Sequence, residues 1–171
     1  MDKQYQLFDS LSKQLAATAG ELDGESKDRA RILLSAALLE EVLTTTLTNF
    51  LADCSETRKL LNPMTNGAIS QFGAKIDMCV ALGLLPVDEA KRCRELASMR
   101  NVFAHKVNAQ LDEKQIALLT AMEDARSYPF PPGLSLGMRY QNACSYLLQW
   151  IVLRWSEDRL NEKRLVHPPQ P

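Results

Sequence analysis

The chain has 171 residues, of which 20 are basic and 21 acidic, so that its formal net charge is -1. This balance gives no overall positive field, so any binding of nucleic acid must use a local patch. With 46% hydrophobic and 24% charged residues, the composition is that of a globular protein and excludes a disordered chain.

Three sequence features predict the location and domain content of the protein. Residues 1–11 include Asp2 and Asp9 and lack an apolar core, so we do not expect a signal peptide. No apolar run approaches the roughly 20 residues of a membrane span. The cysteines form no C-x-x-C pair and are interpreted as reduced, mostly buried thiols: Cys54, Cys79, Cys93 and Cys144. We expect a cytoplasmic protein with one helical domain at 1–167 and a loose Pro-rich tail at 168–171.

Helical periodicity recurs along the chain, and no segment shows the alternation of a strand. The predicted helices are Tyr5–Ala19, Ser26 to about Asp53, Ile69–Leu82, Pro86 or Asp88 to about Val107, Leu111–Ala125 and Leu136 to about Leu165. Ser26 is the expected N-cap of the second helix, Gly83 closes the third, and Asp112 leads the fifth. Breaker residues predict connections at Leu60–Gly67 and Tyr128–Gly133.

The second predicted helix is apolar over more than one face, which is typical of a helix in the middle of a bundle. In the fourth helix, Leu96, Met99 and Phe103 share the inward stripe. The inward residues of the last helix are Tyr140, Cys144, Leu147, Leu148, Ile151 and Trp155. The predicted fold class is therefore all-α, a helical bundle of about five to six helices.

The fourth helix contains the segment most suggestive of chemistry, M-R-N-V-F-A-H-K at Met99–Lys106. It places Arg100, Asn101 and His105 close together in the sequence. Histidine suits proton transfer near neutral pH, and the arginine guanidinium is a planar fork of donors for a phosphate. An arginine and a histidine of this kind could cleave a phosphodiester without a metal ion.

Helix geometry limits how these side chains can act together. Each residue turns about 100°, so Arg100 and His105 diverge by roughly 140°, whereas Asn101 and His105 share a face. Arg100 and His105 meet one substrate only if the helix bends or ends here, or if a second chain completes the site in a two-fold dimer. The alternative interpretation is a helix end with a solvated arginine and histidine, which complement the helix dipole.

The segment from Arg100 to His105 resembles the R-x4-6-H motif of the HEPN family, including the Asn after the Arg and the Ala before the His. HEPN proteins are compact helical dimers, and many are metal-independent ribonucleases of toxin–antitoxin or phage-defence systems. The resemblance implies a homodimer, an RNA substrate, an antitoxin partner and catalytic roles for Arg100, His105 and, more weakly, Asn101. A subgroup has a modified Tyr two residues after the His, but Val107 stands here.

A second resemblance covers about Arg31 to Val107. The long apolar helix, L-L-N-P, F-G-A-K-I-D-M-C-V-A-L-G-L-L and the Arg-to-His stretch are similar to the mannitol operon repressor family. That resemblance also implies an all-helical fold, but it implies a transcriptional regulator acting through protein contacts. Like that family, this chain shows no helix-turn-helix with a basic second helix. The two resemblances agree on the fold and disagree on activity.

Other residues are weaker candidates. One of Glu40 and Glu41 must face the core edge or a partner, where it could orient His105 or an arginine, although a solvated edge is favoured. Lys91, Arg92 and Arg94 add positive charge to the motif helix, but interleaved acidic residues favour a solvated face. Trp150 and Trp155 are expected in the core or an interface. No motif predicts a cofactor or a metal site.

Overall fold

The computed structural model describes residues 24–106, 108–124 and 133–155, together with five isolated helical positions near the N-terminus, at Gln6, Asp9, Ser10, Lys13 and Ala17. Within these ranges the helices are α1 (Gly24–Phe50), α2 (Ser55–Leu61), α3 (Phe72–Ala81), α4 (Val87–His105), α5 (Glu113–Asp124) and α6 (Leu136–Arg154), with a 3₁₀ turn at Pro63–Thr65. No strand occurs in this part of the chain. The prediction of an all-α bundle is confirmed.

Helix α1 is the central element of the bundle, as its apolar composition predicted. It packs along α6 and also contacts α3 and α4. Ile32, Leu39 and Leu47 on α1 have 0% exposure. A helix that is apolar on several faces can bury them only when neighbours surround it, and α3, α4 and α6 are those neighbours. Helix α4 is therefore held against the core on one side.

The boundaries of three helices, α1, α3 and α6, differ from the prediction. Helix α1 begins at Gly24, so that Ser26 lies inside the helix, and the prediction of Ser26 as N-cap is wrong. Helix α6 ends at Arg154, with Trp155 as its C-cap, so the predicted continuation to Leu165 is wrong at Trp155. Residues 156–171, including the predicted tail, and most of the predicted helix at 5–19 lie outside the described residues.

The short helix α2 was not predicted, and local hydrogen bonds explain why it forms. The Cys54 thiol accepts a hydrogen bond from the Thr57 N–H at 3.5 Å, which caps the helix. The Thr57 hydroxyl donates to the Ala52 carbonyl at 2.7 Å. The predicted connection after α2 contains the expected turn, with Asn66 in the left-handed region at φ 49°. A Cβ at Gly67 would lie 2.3 Å from the Leu60 carbonyl oxygen, so only glycine fits.

The predicted residues at the end of α3 and before α5 agree with the structure, whereas α3 begins at Phe72 and not at the predicted Ile69. Gly83 follows α3 with φ +69°, the conformation expected of a glycine that terminates a helix. Asp112 precedes α5, and its carboxylate accepts a hydrogen bond from the Gln115 N–H at 2.8 Å. The Gln115 side chain in turn accepts from the Asp112 N–H at 3.1 Å, which completes a capping box.

The inward stripes predicted for α4 and α6 are confirmed. Leu96 and Met99 are 0% exposed and Phe103 is 4% exposed. The Tyr140 hydroxyl donates to the Leu96 carbonyl oxygen at 2.7 Å, which joins α6 to α4 inside the core. The Glu89 carboxylate accepts two hydrogen bonds from the Arg154 guanidinium, at 2.6 and 2.9 Å, and joins the same helices near the opposite end of α4. These contacts fix α4 relative to α6.

The cysteines and tryptophans are placed mostly as predicted. The thiols are free, with Cys79, Cys93 and Cys144 buried and Cys54 half-buried. Trp155 is buried, and its indole N–H donates to the Leu84 carbonyl oxygen at 2.6 Å. Trp150 is 47% exposed. None of the described helices combines the length and apolar character needed to cross a bilayer.

Candidate active site

The C-terminal end of α4 places the motif at the surface, because the helix stops at His105. Lys106 is extended, with φ -114° and ψ 130°, and its N–H donates to the Val102 carbonyl oxygen as the C-cap. The Lys106 carbonyl oxygen accepts a hydrogen bond of 2.7 Å from the Arg29 guanidinium at the start of α1. This contact holds the chain that leaves α4 against α1. One condition for Arg100 and His105 to reach the same substrate was that the helix ends near them, and α4 does end at His105.

The His105 imidazole is exposed at this helix end, and no hydrogen bond or ion pair links it to any described residue. Asn101, one turn earlier, is also exposed. Residues four apart on a helix share a face, so both side chains project to the same side of α4. An exposed imidazole on a rigid helix end can accept a proton from a bound molecule without first breaking an internal contact.

The Arg100 side chain is turned towards Asn101. Its guanidinium donates a hydrogen bond of 3.1 Å to the Asn101 side-chain oxygen. Arg100 is half-buried and also lies near the phenol of Tyr140. Burial raises the pKa of Tyr140 well above its usual value, and the positive charge of Arg100 opposes that rise. Asn101 therefore joins the two parts of the motif, since it bonds Arg100 and shares a face with His105.

Arg100 and Asn101 line a cleft of about 450 Å³ between α1, α3 and α4. Ser70 and Gln71 line it from the connection before α3, and Glu40 lines it from α1. His105 is not among its lining residues. One chain thus brings Arg100 and Asn101 into a shared concave surface and leaves His105 beyond its edge.

Glu40 is the glutamate of the pair that faces the core edge, as expected of one of the two, but its partner there differs from those suggested by the sequence. Its carboxylate accepts a hydrogen bond of 2.8 Å from the Lys75 ammonium group, so it orients neither His105 nor an arginine. Glu40 is half-buried at the core edge, whereas Glu41 is exposed. The Lys75 side chain is only 7% exposed. Buried lysines are rare unless they are paired, and this pair joins α1 to α3 directly beside the cleft.

Lys75, the partner of the cleft residue Glu40, was not predicted from the sequence, although a signal for it existed. It lies three residues after Phe72 and four before Cys79, both of which are buried. That spacing places the lysine on the inward stripe of α3. A lysine on an apolar stripe requires an acidic partner, and only the fold shows that the partner is Glu40, 35 residues earlier in the chain.

The positive charges along α4 are only partly available to an anion. The Arg94 guanidinium forms an ion pair with Asp77 of α3, and both side chains are largely exposed. Arg94 also lines the cleft, whereas Lys91 and Arg92 border a smaller depression between α4 and α5 together with Asp88 and Glu95. The positive residues beside α5 are therefore balanced locally, whereas Arg100 and Lys106 place positive charge within the motif segment itself.

Within the described ranges, no group of three or more His, Cys, Asp or Glu side chains is arranged to hold a metal ion. Comparisons with protein-family models, with curated protein sequences and with solved structures gave no match. The functional conclusion therefore depends on the motif and its geometry. The end of α4 carries the exposed imidazole of His105, the amide of Asn101 on the same face and the guanidinium of Arg100 beside the cleft.

Proposed function

We propose that this protein is a HEPN-like, metal-independent endoribonuclease that acts as a cytoplasmic homodimer, with Arg100 and His105 as the catalytic pair. The observation that carries the proposal is the end of α4 at His105, which leaves the imidazole exposed on the face of Asn101, while Asn101 bonds Arg100. The resemblance of this segment to the R-x4-6-H motif supports the same assignment.

The chemistry requires one proton acceptor and one fixed positive charge. His105 takes the proton of an RNA 2′-hydroxyl, and that oxygen attacks the neighbouring phosphorus. The bond from phosphorus to the 5′-oxygen breaks, and the leaving oxygen receives a proton from water. The products are a 2′,3′-cyclic phosphate and a 5′-hydroxyl. The Arg100 guanidinium binds the phosphate and stabilises the negative charge that develops on it.

A two-fold dimer explains how Arg100 and His105 can contact one phosphate. Within one chain the two residues diverge by roughly 140° around the helix, and the cleft that Arg100 lines does not include His105. In the proposed symmetric dimer, the two α4 ends come together with the His105 of each chain opposite the Arg100 of its mate. Each of the two sites then contains residues from both chains.

RNA digestion by the purified protein tests the chemistry. We expect cleavage that continues in EDTA, spares DNA and yields 2′,3′-cyclic phosphate ends, because attack requires the 2′-hydroxyl. His105→Ala should lose about 10²- to 10⁴-fold in rate with its folding intact. His167→Ala, which changes the only other histidine, is the matched control and should retain full activity. Cleavage that needs magnesium, or that persists in His105→Ala, refutes this mechanism.

Mixing two inactive variants tests the shared site. If Arg100 and His105 act across the dimer, a heterodimer of Arg100→Ala and His105→Ala chains contains one site with both residues intact. Random exchange makes about half of the dimers mixed, so the mixture should regain about a quarter of wild-type activity. If both residues act within one chain, every site in the heterodimer is damaged and no activity returns. Co-expression with two different affinity tags allows the heterodimer to be purified and measured directly.

The proposal includes a protein partner that keeps the ribonuclease inactive, as in toxin–antitoxin systems. If the purified dimer cleaves no RNA under any of these conditions, we instead propose that the protein is a transcriptional regulator similar to the mannitol operon repressor family and that it acts through protein contacts.

A further inference from the structure

The last turn of α4 carries His105, and side-chain packing does not hold this turn. The stripe of buried side chains on α4 ends at Phe103, which is 4% exposed. The residues that follow it, Ala104, His105 and Lys106, are all exposed. The last carbonyl groups of a helix also lack partners within the helix, so an exposed final turn opens easily. A base on such a turn needs a contact from another element to keep it in place.

Arg29 of α1 supplies that contact. Its guanidinium donates the 2.7 Å hydrogen bond to the carbonyl oxygen of Lys106, the residue after His105. Among the described residues, this is the one hydrogen bond that joins residues 104–106 to a different helix. A guanidinium beside the C-terminus of a helix also complements the negative end of the helix dipole. Both effects favour a closed last turn.

Arg29 itself lies on a rigid support. The preceding residue, Asp28, accepts a hydrogen bond of 2.6 Å from the hydroxyl of Ser135, the N-cap of α6. The backbones of α1 and α6 approach closely here, since a Cβ at Gly137 would lie 2.6 Å from the Asp28 Cα. Ile32, in the next turn of α1, is 0% exposed. The start of α1 is therefore fixed, and the bond from Arg29 transmits that position to the end of α4.

We infer that Arg29 is a positioning residue for His105, because it holds the last turn of α4 and thereby keeps the imidazole in one place for the RNA 2′-hydroxyl. The inference rests on the proposed function for the role of His105. Standard backbone dimensions put the bonded guanidinium nitrogen within about 9 Å of the His105 Cα. A displacement of about 1 Å in a catalytic group can cost up to 10²-fold in rate, so loss of a contact this near should slow the reaction.

Three variants test this role through the kinetics of RNA cleavage. Arg29→Met removes the donor and the charge, whereas Arg29→Lys keeps the charge and one possible donor. Lys27→Met is the matched control, because residues two apart on a helix point in nearly opposite directions. We expect kcat to fall about 10- to 100-fold in Arg29→Met with KM nearly unchanged, to recover in part in Arg29→Lys, and to stay at the wild-type value in Lys27→Met. A higher KM with unchanged kcat would mean that Arg29 binds RNA, and it would overturn the positioning role.

Amide measurements test the same contact without catalysis. Hydrogen exchange at Lys106, whose N–H bonds the Val102 carbonyl oxygen at 3.1 Å, should be about tenfold faster in Arg29→Met. The His105 amide should show a lower order parameter, whereas the amide of Met99, earlier in α4, should be unchanged. Unchanged exchange at Lys106, or faster exchange along all of α4, overturns the inference, because the contact would then hold nothing or would stabilise the whole helix.

The mixed dimer of two inactive chains shows whether Arg29 acts on the His105 of its own chain. In that dimer the intact site uses the His105 of the Arg100→Ala chain. Arg29→Met should lower activity when that chain carries it and not when the His105→Ala chain carries it, although each dimer loses the same contact once. Equal losses in the two dimers overturn the positioning role. If the wild type cleaves no RNA, the ribonuclease proposal fails, and the amide measurements alone decide whether Arg29 holds His105.

Discussion

Replacing Lys75 with methionine tests how the ion pair beneath the cleft stabilises the bundle. Methionine matches the length of lysine but leaves the Glu40 carboxylate without its cation. The side chains of Lys75 and Glu40 are 7% and 22% exposed, so the pair is mostly removed from water. Breaking a buried pair from one side typically costs about 3–5 kcal/mol. Because Glu40 borders the open cleft, where water can reach it, we expect a value near the lower limit, about 3 kcal/mol.

A double-mutant cycle shows whether that cost comes from the unpaired charge. In Glu40→Gln/Lys75→Met neither charge remains, and the double variant should be within about 1 kcal/mol of the wild type. The free energy of unfolding is measured by urea denaturation with circular dichroism, provided that the m-value is unchanged. Arg58→Met is the control, because Arg58 pairs with Asp53 on the surface, and it should cost less than about 1 kcal/mol. Additive losses in the cycle would refute a coupled pair.

Three further predictions follow from the burial of single side chains. Phe103→Ala should lower the free energy of unfolding by about 3–5 kcal/mol, because Phe103 is buried and its removal leaves a cavity in the core; unchanged thermal melts would contradict this packing. Burial raises the pKa of the Cys79 and Cys93 thiols to about 12, and it raises the pKa of Cys144 as well. A thiol reagent at pH 8 should therefore modify Cys54 rapidly and the other three only on unfolding, and stability should fall as the pH rises from about 9 towards 12, where the unfolded thiols ionise first. Rapid reaction of all four thiols in the folded protein would contradict both statements.

The parts of the fold that the sequence predicted are those with strong local signals. Leu96, Met99 and Phe103 recur at helical spacing, and no neighbour was needed to recognise their shared face. Asp112 and Gly83 mark helix ends through their own backbone and side-chain preferences. The short helix α2 lacks such a signal, because its seven residues include Glu56, Arg58 and Lys59 and show no apolar stripe.

The geometry of the site could be predicted only in part, because it depends on contacts between distant segments. The sequence identified Arg100, Asn101 and His105 and their angular separation on a helix. It could not show that Arg29, 77 residues earlier, would bond the Lys106 carbonyl oxygen at the helix end. It also could not place Glu40 against Lys75, or bring the first turn of α3 to the rim of the cleft beside Arg100. These placements require the packing of α1, α3 and α4.

The motif places two different groups along a single helix, a guanidinium in a fixed position at Arg100 and an exposed imidazole at His105. Arg100 is half-buried, bonded to Asn101 and close to the core phenol of Tyr140, so its positive charge is held in a fixed position before any ligand arrives. His105 lies five residues later, beyond the buried stripe that ends at Phe103, and is exposed to solvent. A charge that stabilises a transition state gains from a rigid position, whereas a base must exchange its proton with water in every turnover. In the proposed mechanism, ending α4 at His105 would meet both requirements within one short segment, and the association of two chains would bring the two groups to one phosphate.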